Sequence, residues 1–160
     1  MKRLWAPWRI EYIALEKTDE CIFCKKLLEK DGPKNLILYR GKHTFAMLNK
    51  FPYNSGHLMI APFRHVRGLS ELKKSEKIEM LETLSSAIKV LTEAMSPQGF
   101  NIGLNIGRVA GAGVPDHIHF HVVPRWEGDC NFMPLFADVK IINEHLTKTY
   151  KKLLPYWRSL

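Results

Sequence analysis

A chain of 160 residues with 46% hydrophobic and 25% charged residues has the size and composition of one ordinary globular domain around a single core. No apolar run reaches the roughly 20 residues of a membrane-spanning helix, and Met1-Lys2-Arg3-Leu4-Trp5 leads into no signal-peptide core, so the expected location is cytoplasmic. The net charge of +8 attracts polyanions such as nucleotides, whereas no arginine-rich tract or RNA-binding signature points to nucleic acid.

Residues 1–20 hold Trp5, Trp8 and Tyr12 with Pro7 between the tryptophans. Such an aromatic arm is too apolar to stay in water and is predicted to pack on the body or on a partner subunit. Cys21-Ile22-Phe23-Cys24 opens a short helix toward Lys30, stopped near Gly32-Pro33. The C-x-x-C pair has three readings: redox, half a zinc site, or two buried thiols. A thioredoxin-like motif follows a strand, and nothing before Cys21 looks like one. A zinc site needs two more ligands. Three cysteines make no even disulfide set, in keeping with a reducing compartment.

Leu36 to Tyr39 and Thr44 to Leu48 read as strands around a turn at Arg40-Gly41-Lys42, with Asn49 ending the second. Residues 51–56 are turn-rich, and His57 to Pro62 is a further apolar strand with His65 just beyond it. From Ser75 to Met95, Ile78, Leu81, Leu84, Ile88, Leu91 and Met95 recur at helical spacing. That stripe is expected to face the core, and Pro97 and Gly99 end the helix. Phe100 to Ile106 is the next strand, and Ile141 to Leu154 reads as a C-terminal helix broken at Pro155. Clustered strands with a long helix between them, and no repeat or linker, indicate one α+β domain with a mainly antiparallel sheet.

The remaining stretch carries the chemistry. In Asp116 to Arg125, Ile118, Phe120 and Val122 alternate with His117, His119 and His121, a period of two. On a strand this sets three imidazoles on one face at steps of about 7 Å. Pro124 donates to no ladder and should end the strand or lie at an edge. Three histidines can hold a catalytic zinc around an open position, or one can attack phosphorus while the others assist. Upstream, residues 105–114 contain Gly107, Gly111, Gly113 and Arg108, material for a backbone nest around phosphate oxygens. That loop favours phosphoryl or nucleotidyl transfer.

In these residues the sequence resembles the histidine-triad (HIT) nucleotide hydrolases and transferases. Their signature His-φ-His-φ-His-φ-φ, with φ hydrophobic, reads here His117-Ile118-His119-Phe120-His121-Val122-Val123. The likeness runs through Asn49, Gly56-His57 and Pro62-Phe63-Arg64-His65 and covers roughly residues 21 to 130. It is nearer to the bacterial branch that includes diadenosine tetraphosphate phosphorylases. That branch is matched in Leu4 to Arg9, Gly111-Ala112-Gly113, Val123 to Trp126 and Gly128 to Met133.

The resemblance implies a HIT-like fold, with a five-stranded, mainly antiparallel sheet, a long helix and a C-terminal helix. One HIT domain would span 1–160, with the aromatic arm at 1–20 and a C-terminal extension at 136–160. It implies cleavage of dinucleoside polyphosphates such as diadenosine tetraphosphate at an α-phosphate, through a nucleotidyl group on His119 passed to water or phosphate. His121, Asn105 and the Gly111-Ala112-Gly113 backbone would surround that phosphate, Asn49 the ribose, and His57 a polar position behind them. Arg125 and Trp126 would reach the distal phosphates or second base. His117 would either orient the nucleophile or join Cys21, Cys24 and His65 in a structural Cys₂His₂ zinc site. A homodimer is implied, with Trp5, Trp8, Tyr156 and Trp157 as apolar material for its contacts. Many family members carry Gln followed by Ser or Thr where this chain has Gly113-Val114-Pro115. That departure weighs against simple nucleoside phosphoramidate hydrolysis, which is the alternative together with a nucleotide-binding regulator without turnover.

Overall fold

The computed structural model describes residues 20–129 and 144–160. The aromatic arm, Cys130, the extension up to residue 143 and the expected helix start at Ile141 lie outside the described residues. In chain order the elements are α1 (Ile22–Leu28), β1 (Ile37–Arg40), β2 (Thr44–Leu48), β3 (Leu58–Pro62), α2 (Lys74–Met95), β4 (Gly99–Leu104), β5 (Phe120–Arg125) and α3 (Leu146–Arg158). The five strands form one antiparallel sheet in the order β1-β2-β3-β5-β4. Helix α2 packs on β2, β3 and β5, and α3 packs on α2 and β1. Strands β2 and β3 are buried along their whole length, which explains their near-continuous apolar sequences. Phe23, Phe45, Leu48, Leu58, Ile60, Leu91, Val122 and Leu153 make the centre of the core.

Helix α2 turns a different face inward from the one its apolar spacing suggests. Met80, Thr83, Ala87, Val90 and Leu91 are buried, whereas Ile78 and Leu81 are 47% and 56% exposed. Hydrogen bonds set this rotation. The Glu79 carboxylate accepts the N–H groups of His43 and Thr44 at 2.9 and 3.1 Å, and the Thr83 and Thr44 hydroxyls pair at 3.0 Å. An unmet buried N–H costs about 1–3 kcal/mol, comparable with burying one more aliphatic side chain, so the polar pairing competes on equal terms. At the N-terminus Glu76 accepts the Lys73 N–H and a two-pronged contact from Arg64 at 2.6 and 2.7 Å. That ion pair ties the segment after β3, and with it His65, to the helix.

Two expectations about proline are corrected. Pro124 lies inside β5, a central strand, rather than ending it or standing at an edge. The ladder with β3 stops at Val122, so no β3 acceptor waits for a donor at Pro124. Pro155 does not break the C-terminal helix, which runs on to Arg158. Carrying Trp157 into the core explains this. Its ring stacks on Tyr39 at 5.0 Å and is 3% exposed. Burying a tryptophan is worth about 4–6 kcal/mol, more than the roughly 3 kcal/mol cost of an interior proline. Trp157 therefore serves its own protomer and is not available to a partner. The histidine row is also shorter as a strand than expected. Pairing begins at Phe120, so His117 and His119 lie in the irregular approach to β5.

Candidate functional site

Five histidines and two cysteines gather where that approach passes β3 and α1, and the hydrogen bonds dictate which ring nitrogen carries a proton in four of them. A carbonyl can only accept, so a ring nitrogen bonded to one must be the N–H. His117 Nε2 lies 2.9 Å from Pro62 O and therefore donates, which leaves the lone pair on Nδ1. That Nδ1 faces Cys21 Sγ at 3.3 Å and Cys24 Sγ at 3.7 Å. His119 Nδ1 donates to the carbonyl of His117 at 2.8 Å, leaving its lone pair on Nε2. His57 Nδ1 accepts the Tyr53 N–H at 3.0 Å, so His57 is protonated on Nε2. It donates from there to His121 Nδ1 at 2.9 Å, and His121 must in turn carry its proton on Nε2. The three triad imidazoles thus present three different faces: a lone pair to the cysteines, a lone pair at His119 Nε2, and an N–H at His121 Nε2.

Electrostatics keeps these rings neutral. Burial pushes His117 and His121 down to about 4, with His65 and His119 beside the first and His119 beside the second adding repulsion. Burial also lowers His119, against the opposing pull of its bond to the His117 carbonyl. The wholly buried Phe23, between the two cysteines on α1, packs its ring 5.1 Å from His117 and 4.8 Å from His119.

Cys21, Cys24, His65 and His117 offer ligand atoms that all lie within 4.8 Å of one another, and the four can hold a metal ion. His65 Nδ1 is 3.5 Å from Cys24 Sγ. The reading in which all three triad histidines share one cation loses its geometry. Only His117 joins a ligand cluster among the described residues, and the Nδ1 of His119 is committed to a carbonyl.

The other expected residues fall into two groups. Asn49, at the end of β2, reaches His57 Nδ1 with its amide at 3.4 Å. Asn105 donates to Gly111 O at 3.4 Å across a 3₁₀ turn, Arg108–Ala110, flanked by Gly107 and Gly111 at φ 86° and 85°. Positive φ at both is what the glycines supply. The N–H groups of Ala110, Gly111 and Ala112 bond carbonyls of the loop itself, so among 111–113 only the Gly113 N–H stands outside these bonds. Arg125 and Trp126 are held elsewhere. The Arg125 guanidinium grips Asp129 at 2.6 and 2.7 Å and Asn101 at 2.6 Å, and the Trp126 indole donates to Ser96 O at 3.2 Å. Sequence reasoning missed Tyr53 and Phe23. No periodicity singles out a tyrosine in a turn, and the only mark on Phe23 is its place between two cysteines.

Residues 30–128 match the HIT domain family. The chain belongs to that family. An AP-4-A phosphorylase of Mycobacterium tuberculosis is 36% identical to this HIT protein, over 98% of the chain and 85% of the relative. An asymmetrical bis(5'-nucleosyl)-tetraphosphatase of Schizosaccharomyces pombe is 33% identical over 58% of the chain and 50% of its own length. Among solved structures, a zinc-bound histidine triad family protein from Mycobacterium smegmatis superposes with a TM-score of 0.68 at 21% identity, covering 87% of this chain and 94% of that one. A hypothetical histidine triad nucleotide-binding protein from Sulfolobus tokodaii gives 0.66 at 27% identity, with 87% and 90% covered. The five-stranded antiparallel sheet is thus the HIT fold.

Proposed function

We propose that this HIT protein cleaves dinucleoside polyphosphates such as diadenosine tetraphosphate at an α-phosphate, through a covalent nucleotidyl group on His119. The observation that carries the reading is the bond from His119 Nδ1–H to the His117 carbonyl, which leaves Nε2 as a neutral lone pair. In the first step Nε2 bonds to the α-phosphorus, and the bond from that phosphorus to the bridging oxygen breaks. ATP leaves from diadenosine tetraphosphate, and the positive charge on the ring is eased by the same carbonyl. His121 Nε2–H donates to the oxygen on which negative charge grows. In the second step phosphate or water attacks the same phosphorus and frees His119, giving ADP or AMP.

The Gly113 N–H and the Asn105 amide are assigned to the phosphate, and Asn49 to the ribose. Arg125 and Trp126 are assigned to the distal phosphates or second base, a contact that would exchange the Asp129 carboxylate for a phosphate. The 36% identity to the AP-4-A phosphorylase supports this substrate class over phosphoramidates. Incubation with diadenosine tetraphosphate, with and without phosphate, tests the reading. ADP formed only with phosphate identifies a phosphorylase, and AMP with ATP in its absence a hydrolase. Tight binding without product under either condition would leave a nucleotide-binding regulator.

The cysteine–histidine cluster we assign to a structural zinc. Two sulfurs and two imidazole nitrogens are the donors of a closed tetrahedral site. The His117 tautomer suits it, because Pro62 takes the Nε2 proton and turns the Nδ1 lone pair to the sulfurs. Four protein ligands leave no open position for water, so the ion would staple α1 to the sheet. We further propose a homodimer, supported by exposed apolar side chains on α2 and on the edge strand β4. A cytoplasmic location accords with the free thiols of Cys21 and Cys24.

A further inference from the structure

The turn between β2 and β3 does more than join two strands. Its Tyr53 touches the catalytic histidines twice. The main-chain N–H bonds His57 Nδ1 at 3.0 Å. The ring lies 4.6 Å from that of His57 and 5.6 Å from that of His121, within 28° of parallel to the latter. His57 is wholly buried, whereas Tyr53 is 47% exposed, so the phenol ring forms the outer wall over the pair.

The two contacts have separate consequences. A second hydrogen-bond donor on His57 Nδ1, the Asn49 amide at 3.4 Å, is the longer one, so the Tyr53 N–H is the principal fixture of the His57 tautomer. Were that tautomer reversed, His57 Nε2 would be an acceptor and His121 Nδ1 would have to donate. His121 Nε2 would then present a lone pair to the phosphate instead of an N–H. The ring contact acts on orientation. His121 is joined to His57 by one hydrogen bond, about which an imidazole can still tilt, and the tyrosine face removes that freedom.

We propose that Tyr53 is a positioning residue of the reaction, acting through His57 and His121 and not by touching substrate. The N–H sets the polarity of the chain from His57 to His121, and the ring holds the plane of His121. The inference rests on the reaction proposed at His119. A nucleobase platform is the competing role for an exposed aromatic ring beside a nucleotide site, and the two separate cleanly. A base platform acts on binding, whereas a positioning ring acts on turnover.

The test uses Tyr53→Phe, Tyr53→Leu and Tyr53→Ala in the full chain. kcat and KM are measured with diadenosine tetraphosphate, Kd with AMP, and the imidazole nitrogens by ¹⁵N spectroscopy. Tyr53→Phe keeps the ring and retains activity. Tyr53→Ala and Tyr53→Leu lower kcat about tenfold, a fraction of what a positioned acid–base group contributes, while KM and the AMP Kd stay within about twofold. Wild type and all three variants keep the main-chain N–H and show His57 and His121 each protonated on Nε2, and in Tyr53→Ala the His121 ring signals broaden as the ring tilts. An unchanged kcat in Tyr53→Ala, or KM and Kd rising by the whole loss in kcat/KM, overturns the proposal. So does a wild-type His121 protonated on Nδ1. If wild type turns over no dinucleoside polyphosphate, the reaction assignment fails, and the nitrogen spectra still decide whether Tyr53 holds the pair.

Discussion

At the scale of single residues, what matters at each histidine is which nitrogen is left over. His119→Ala removes the one triad nitrogen that, among the described residues, combines a lone pair with no hydrogen-bond partner, and turnover should fall by at least about 10³-fold. The same change is not free for the fold. His119 is 4% exposed and packs on Phe23, so its loss leaves a cavity costing about 2 kcal/mol. A melting point about 4–8 °C lower, with cooperative unfolding kept, is the expected calorimetric result. Retained turnover would overturn the nucleophile assignment. The depressed His121 also sets a pH dependence. Burial holds it at about 4, below the ordinary value near 6.5 that it regains on unfolding. The unfolded chain therefore binds protons first. Stability is full above about pH 6.5 and is lost as pH falls toward 4. Melting curves at steps from pH 7 to 4 should show that decline, and His121→Gln should flatten it. A melting point unchanged across the window would contradict the burial argument.

At the scale of elements, α1 is the one that cannot stand alone. Seven residues are too few for a stable isolated helix, and Phe23 is its one buried side chain. Cys21 and Cys24 flank that phenylalanine, and their partners His65 and His117 come from the ends of β3 and the approach to β5. A metal at this cluster would fasten Phe23 against His119 as well as α1 against the sheet. Protein purified without added metal should contain about one zinc per chain by elemental analysis. Cys24→Ser should lower the zinc content and drop the melting point by on the order of 10 °C. Undetectable metal in an active, stable preparation would refute the staple. Arg64 belongs to the same element-level design. Its pairing with Glu76, whose carboxyl it holds down to about 2, anchors the residue before His65.

At the scale of the whole molecule, the sheet is guarded on one side only among the described residues. Helix α3 packs on the edge strand β1, while β4 has β5 on one side and leaves Ile102 41% exposed. An unguarded edge is a template for a second chain. Exposed Ile78 and Leu81 on α2 add apolar surface that the protomer's own core does not use. Light scattering at micromolar concentration should return twice the chain mass, and Ile102→Lys should shift it toward one. A wild-type monomer would remove the homodimer from the proposal. The buried Trp157 takes no part in this contact.

Much of this was legible in one dimension because its signals are local. Strand and helix positions followed from apolar spacing, since burial on one face imposes a period on neighbouring residues. Spacing marked the triad, the glycine loop and the C-x-x-C pair as sites, and the resemblance to the histidine-triad family narrowed their chemistry. The face that α2 buries was misread, because Glu79 and Thr83 are recruited by hairpin groups 35 to 39 residues away in sequence. Pro155 was misread because local propensity favoured a break, and Tyr39, from the far end of the chain, pulled Trp157 into the core. The division of labour among three adjacent histidines lay beyond sequence for the same reason. Their tautomers are set by Pro62, 55 residues from His117, and by His57, 64 residues from His121. A pattern of residues states which groups are present, but only the folded chain decides which hydrogen bond each one has already made, and so which lone pair is left to react.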